Sequence, residues 1–231
     1  MRLVKQLVLD LIAPPAPSFD NFIPGQNREA MLALRALSTG EASHRLIYCW
    51  GAPSAGKTHL VVACSSVCAA HAGLFDVHGS LRRDLDADDD GGATALFVVD
   101  DVQKLDDAAQ VSLFNLINSL ATFADRRILV TGNAAPRDLA LRPELASRLG
   151  SELVFQLQPL SDAEKSAALE AHAAQRGFGL RDDVRRYLLR HTRRDMRSLM
   201  QTLDALDQYS LETGREITLP LVREMAQPTL V

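Results

Sequence analysis

Nowhere in its 231 residues does the chain hold a run of about 18 apolar side chains, so no helical membrane span is expected. No secretory leader is expected either. Arg2 and Lys5 sit beside an apolar stretch too short for a signal h-region, and no A-x-A cleavage site follows. Both absences point to a cytoplasmic protein. Cysteine is scarce, with three residues, which fits that compartment. Cys64, Cys68 and His71 invite a metal reading, but on one helix positions 64 and 71 lie roughly 10 Å apart along the axis. Zinc bonds of about 2.0–2.3 Å do not span that distance. Buried small residues are therefore expected there. A strong charge of one sign is missing too: the net charge is −4 and the pI about 5.9. The surface as a whole is not a nucleic-acid binder, and the chain contains no internal repeat.

What is present is a hydrophobic content of 47% over a length that buries the core of one domain, or of one domain with a small appendage. The remaining charge is unevenly placed. Residues 84–90 read DLDADDD and are followed by two glycines, the mark of a solvated loop, with a binding surface as the weaker reading. Residues 181–197 read RDDVRRYLLRHTRRDMR. Arg186, Arg190, Arg193, Arg194 and Arg197 fall near helical spacing there, diluted by Asp182, Asp183 and Asp195. A solvated face or a subunit interface explains them better than contact with DNA phosphates.

The order of elements is also legible. QLVLDL (6–11) precedes the stiff spacer APPAP, and QNREAMLALRALS (26–38) has helical apolar spacing. RLIYCW (45–50) reads as a buried strand, followed by a glycine turn and a helix from Lys57 to His71. LFDVHG, ALFVVDD, RRILVTG and ELVFQLQ read as further strands. Between them, 107–124 reads as an amphipathic helix through Val111, Phe114, Ile117 and Leu120, and 143–149 as a short one. Alternating strands and helices predict an α/β fold with a parallel sheet covered on both faces. After Pro159 the pattern turns helical. Ser161-x-x-Glu164 is a capping box and Gly177 ends the same helix. Helices at 181–191 and 195–210, a strand-like EITLP and a last helix follow. The expected domains are an extended peptide and linker at 1–17, a nucleotide-binding α/β part at 18–158 and a small all-helical lid at 159–231.

Two stretches carry chemistry. GAPSAGKT, Gly51 to Thr58, is a full G-x-x-x-x-G-K-[ST] phosphate loop with a strand before it and a helix after. Gly51 and Gly56 let the backbone approach a polyphosphate, whose charge the loop N–H groups and the helix N-terminus can face. Lys57 would reach the β and γ phosphates, and Thr58 would hold Mg²⁺. ALFVVDD then ends in Asp100 and Asp101 at the carboxyl edge of the sheet. Asp100 is the expected Mg²⁺ partner through water, and Asp101 stands where a base or water-orienting residue belongs. VTGN puts Asn133 on the same side, either to orient water or sense the γ-phosphate, or as a turn residue before Pro136.

With their flanks these residues resemble a DnaA-type AAA+ ATPase, over residues 18 to 228. SFDNFIPGQNREA is similar to the opening that cups adenine, which implies roles for Phe19, Asn21 and Phe22. RPELASRL resembles the segment with the arginine finger and makes Arg148 the candidate. Arg148 would enter a neighbour's site and stabilise charge on the transferred phosphoryl, typically worth about 10³–10⁵ in rate. The residue-level alternative is a cap on a helix C-terminus. RRDMRSLMQTLDAL resembles the sensor-2 helix and aligns Arg197 with the residue that closes onto the nucleotide; the alternative is a surface ion pair. LQPLSDAEK, ASRL and RGF are similar to one branch, the regulatory inactivators of DnaA (Hda).

The branch also gives QLVLDL a meaning. Gln6, Leu7, Leu9 and Leu11 fit the Q-L-x-L-x-[LF] peptide with which bacterial proteins bind the replication sliding clamp, the β subunit of the polymerase. A peptide of this kind gives up ordering entropy on binding and gains from avidity on a ring. A frayed edge strand or a helix on the core remains the residue-level alternative. The resemblance implies a regulator that makes DnaA hydrolyse its ATP when the DNA-loaded clamp recruits it, so preventing re-initiation of chromosome replication. Its partners would be DnaA, the clamp and further copies of itself, with no membrane and no sequence-specific DNA binding, because neither a helix-turn-helix reader nor an N-terminal partner domain is expected. Its cofactor would be ADP or ATP with Mg²⁺. The branch implies ADP and a degenerate loop, whereas the intact GAPSAGKT here leaves an ATPase activity of its own open. Glu144 stands four residues before Arg148, so a second interfacial arginine of the initiator is absent. The rivals are a self-contained AAA+ ATPase such as a helicase loader, and an initiator-like DNA-binding protein.

Overall fold

The computed structural model describes residues 16–68, 72–74, 95–192 and 195–226. The peptide at Gln6–Leu11, the acidic run at 84–90, His71 and residues 193–194 lie outside the described residues. The chain divides into two compact units, one running Pro17–Leu160 and one holding the residues from Ser161 onward.

The first unit is a five-stranded parallel sheet in the order β2-β3-β4-β1-β5. β1 (Leu46–Gly51), β2 (Ala72–Leu74), β3 (Ala95–Val99), β4 (Arg126–Gly132) and β5 (Leu153–Leu157) alternate with helices. These are α1 (Arg28–Thr39), α2 (Lys57–Val67), α3 (Asp107–Ser119) and α4 (Pro143–Gly150). The inner strands are apolar almost throughout because both of their faces are covered. Side chains alternate across the sheet, so neighbours in one strand serve different cores. Ile47, Cys49, Leu96, Val98 and Leu129 pack with Leu34 and Leu37 of α1 and Leu60 and Cys64 of α2. Leu46, Tyr48, Phe97, Val99, Ile128 and Val130 pack with Leu113 and Leu116 of α3 and Leu145 and Leu149 of α4. Cys64 and Cys68 are buried in the first of these cores. The Cys64 thiol points to the Leu34 carbonyl at 3.9 Å and that of Cys68 to the Ser38 carbonyl at 2.7 Å.

The second unit is helical: α5 (Asp162–Gln175), α6 (Asp182–His191), α7 (Met196–Thr213) and α8 (Leu219–Ala226). Ser161 and Glu164 form the reciprocal capping box at the start of α5. Leu169, Val184, Leu188, Leu199, Leu203 and Leu206 make its core. Beside that core Arg176 binds Asp207 at 2.7 Å and Asp204 at 3.3 Å, while His172 meets Asp204 at 2.6 Å. Among the described residues no helix is long and apolar enough to cross a membrane.

Several expectations need correction. EITLP is not a strand: Leu219 and Pro220 open α8, where proline's fixed φ and missing N–H suit the first turn. The helix at 107–124 stops at Ser119, and its inward face is Ala109, Gln110, Leu113, Leu116 and Ile117, whereas Val111 is 40% exposed. α2 ends at Val67, short of His71. The strand placed at LFDVHG starts earlier, at Ala72, and is described only to Leu74.

Candidate nucleotide site and the Arg148 helix

The strands are parallel, so all their carboxyl ends lie on one edge, where open α/β sheets bind ligands. Trp50 is in register with Gly132, which brings the loop after β1 level with the residues after β4. That loop turns at Ser54 (φ 64°) and Gly56 (φ 97°) and enters α2 at Lys57. Gly56 is required twice over. Its φ is left-handed, and a Cβ would lie 2.8 Å from Cε2 of Phe22. Ser54 and Asp101 are the two non-glycine residues of positive φ among the described residues. Both stand in turns at this edge, where strain is characteristic of functional sites.

Lys57 Nζ lies across the loop and donates to the carbonyls of Gly51 at 2.8 Å and Ala52 at 3.2 Å. Thr58 Oγ1 donates to Asp100 Oδ2 at 3.1 Å, joining loop and carboxylate pair across 42 residues. The other Asp100 oxygen accepts from the Thr131 hydroxyl, which itself receives the Asp101 N–H at 3.0 Å. Thr131, buried in β4, thus orders both aspartates. Asp101 turns away from this set. Its backbone is left-handed at φ 58°, and its carboxylate meets Lys104 at 2.7 Å and Gln103 at 3.1 Å. Burial alone would raise its pKa, but the hydrogen bonds from Lys104 and Gln103 and the charges of Lys104 and Lys57 outweigh it and hold the carboxyl below its ordinary range.

Asn133 is exposed one residue beyond β4. The turn that carries it rests on Tyr48, whose buried hydroxyl donates to the Ala134 carbonyl at 2.7 Å. A Cβ on Gly132 would overlap that hydroxyl, so glycine is needed there for close approach. Phe22 packs on Gly56 and stacks obliquely on His59 at 5.2 Å. Phe19 is a core residue at 7% exposure, and Asn21 closes a turn with the Ser18 N–H at 2.8 Å. His59 meets the Ser18 carbonyl at 2.9 Å and so ties this opening segment to α2.

Arg148 lies on α4 between the buried Leu145 and Leu149, its side chain exposed. Among the described residues its guanidinium has no hydrogen-bond or ion-pair partner. Arg197 is an exposed second residue of α7 in the helical unit, behind the Asp195 cap. Arg186 and Arg190 are exposed on α6, and Arg185 is paired with Glu170 at 2.9 Å and with Asp182. Sequence reasoning passed over Thr131, Tyr48 and Gln110. The first two occur inside motifs that it did use, RLIYCW and VTGN.

The described fold has close counterparts. Domain III of the Thermotoga maritima replication initiation protein DnaA superposes with a TM-score of 0.65 at 18% identity, covering 93% of this chain and 98% of that one. DnaA from Aquifex aeolicus, solved with AMPPCP, gives 0.66 at 19% over 87% of this chain and 68% of that chain. A point mutant of Thermotoga maritima RuvB gives 0.61 at 18% over 90% and 70%. Sheet order, phosphate loop and carboxylate pair therefore define a P-loop AAA+ fold of the DnaA-like kind. Its second unit is narrower in identity: residues 162–226 match the family model of the Hda lid domain.

Proposed function

We propose that the chain is an AAA+ regulator that drives hydrolysis of DnaA-bound ATP in trans when the DNA-loaded sliding clamp recruits it. The observation that carries this reading is the match of the helical unit to the Hda lid domain, on a DnaA-like fold. Gln6, Leu7, Leu9 and Leu11 form the clamp-binding peptide. Arg148 enters the active site of DnaA, where its guanidinium stabilises charge on the transferred phosphoryl. An exposed guanidinium without a partner among the described residues suits that role. The ATP and the attacking water belong to DnaA.

The chain's own cofactor is ADP or ATP with Mg²⁺. The fit rests on the left-handed turn at Ser54 and Gly56, the lysine across the loop carbonyls and the Thr58–Asp100 bond. Gly51, Gly56 and Lys57 would hold the phosphates and Thr58 and Asp100 the metal, and the family resemblance alone assigns Arg197 a nucleotide contact. Phe22 flanks the base, with Phe19 and Asn21 fixing the segment that carries it. When bound, Mg²⁺ neutralises phosphate charge. Asn133 orients water, and Asp101 is the base of whatever hydrolysis the chain carries out itself. The residues that would hold that nucleotide thereby fix the shape in which the chain presents Arg148.

A second reading, a self-contained ATPase such as a helicase loader, draws on the complete set of Lys57, Thr58 and Asp100. The ion pair between Asp101 and Lys104 weighs against it. Single-turnover hydrolysis of ATP preloaded on DnaA, with and without DNA-loaded clamp, separates the two. Acceleration that needs both chain and clamp, and disappears in Gln6→Ala, supports the regulator. Untouched DnaA-bound ATP beside rapid turnover by the chain supports the ATPase.

A further inference from the structure

Among the described residues of the Pro17–Leu160 unit two amide side chains are buried, and both are bonded at each end to backbone. Asn27, 4% exposed, donates to the Gln158 carbonyl at 2.8 Å and accepts the Gln158 N–H at 2.7 Å. It ties the segment before α1 to the end of β5. Gln110, 6% exposed on α3, joins two other places. Its Nε2 donates to the Leu105 carbonyl at 3.2 Å, and its Oε1 accepts the Arg142 N–H at 2.9 Å.

Leu105 directly follows the 3₁₀ turn Val102–Lys104 that Asp101 begins. Arg142 is the N-cap of α4 and supplies no side-chain cap itself. α4 has eight residues, too few to hold its direction without tertiary support. Leu145 and Leu149 seat it on the core beside Leu113 of α3, and the amide of Gln110 pins its N-cap residue, Arg142. Arg148 projects from the exposed side of this short helix. One buried amide therefore connects the turn carrying Asp101 and Lys104 with the helix that presents Arg148.

We propose that Gln110 is a positioning residue for Arg148. It fixes the start of α4 relative to the carboxylate turn and so sets where the guanidinium stands. The inference rests on the reading of Arg148 as a trans-acting residue. Losing the amide leaves the buried Leu105 carbonyl and the part-buried Arg142 N–H without this partner, and the start of α4 is then free to shift. A displacement of about 1 Å in a catalytic group costs on the order of 10²-fold in rate.

The test is single-turnover hydrolysis of ATP on DnaA with saturating DNA-loaded clamp, titrated with the full chain. Gln110→Leu lowers the maximal rate on the order of 10²-fold while leaving the half-saturating concentration of chain unchanged. Gln110→Glu has the same shape and keeps the acceptor for Arg142 while losing the donor to Leu105. It gives a smaller loss, on the order of tenfold, and carries the test if the leucine variant does not fold. Asn27→Leu removes an equivalent buried amide elsewhere, so it lowers the melting temperature and leaves the maximal rate near wild type. Gln110→Leu combined with Arg148→Ala is no slower than Arg148→Ala alone. Full rates in both Gln110 variants beside an inactive Arg148→Ala overturn the role of Gln110 and leave the trans reading standing. Equal losses in Asn27→Leu and Gln110→Leu overturn it as well. Wild-type rate in Arg148→Ala overturns both.

Discussion

Lys104 Nζ stands 2.7 Å from Asp101 Oδ2, an ion pair closed within a single turn after β3. Asp101 is the base proposed for any hydrolysis by the chain itself, yet its carboxylate is already satisfied by a neighbour three residues on. Held this way, it is a poor acceptor for a proton from water.

Replacing Lys104 with alanine frees that carboxylate. Its pKa rises toward the ordinary range, since the Lys104 hydrogen bond and charge are removed, while the Gln103 bond and the Lys57 charge remain. The chain's own ATP turnover then increases on the order of tenfold, less than the roughly 10²–10⁴-fold of a fully positioned base, because Gln103 still holds the carboxylate. Phosphate release by the isolated chain measures this, and Asp101→Asn in the same background returns the rate to its starting level. No increase in Lys104→Ala would mean that the ion pair does not restrain hydrolysis.

Thr131 is the hinge between the two aspartates. Its hydroxyl donates to Asp100 and receives the Asp101 N–H, while its residue is 1% exposed. Thr131→Val keeps the shape and strands both partners, which costs about 1–3 kcal/mol of stability. Urea unfolding reads that loss. Mg²⁺-dependent nucleotide affinity falls in the same variant, because Asp100 loses the contact that orients it. An unchanged affinity would show that the Thr58 bond alone positions Asp100.

The loop and the carboxylates were legible because their chemistry restricts residue type. A polyphosphate cradle needs glycine where φ is positive, as at Gly56, and a strand ending in Asp100 must place that group at the carboxyl edge. Strands were legible for a related reason, since burial on both faces leaves runs such as ALFVV. The inward face of α3 was not. Val111 points outward and Gln110 inward, because the partners of that amide, Leu105 and Arg142, are brought to it only by the tertiary fold. EITLP misled through β-branched residues, whose propensity yields to context. In a unit of packed helices Leu219 and Pro220 open α8 instead. Tyr48 read as one more apolar strand residue, and only the loop above it shows what its hydroxyl does.

Alkali should weaken the first unit. Burial raises the Cys64 thiol to about 12, and it raises Cys49 and the Tyr48 phenol further still. Each group stays protonated in the folded chain at a pH where it ionises in the unfolded one. The folded state then binds more protons, so stability is full below the unfolded pKa and falls as pH rises. The decline starts near the ordinary thiol value of about 8.5 and steepens above about 10, where tyrosine joins. Each group adds up to about 1.4 kcal/mol per pH unit. Urea midpoints between neutral pH and pH ~10.5 follow this, and Cys64→Ala has the shallower slope. A flat profile would contradict the burial of these groups.

In the proposed reading Arg148 acts on ATP held by another protein. The most direct measurement loads the chain with ADP, so that it holds no ATP, and follows phosphate release from ATP-bound DnaA in the presence of DNA-loaded clamp. Release rises by at least about tenfold over DnaA alone. That gain vanishes with Arg148→Ala and with the clamp left out. An unchanged rate, or a gain that survives Arg148→Ala, would contradict that reading.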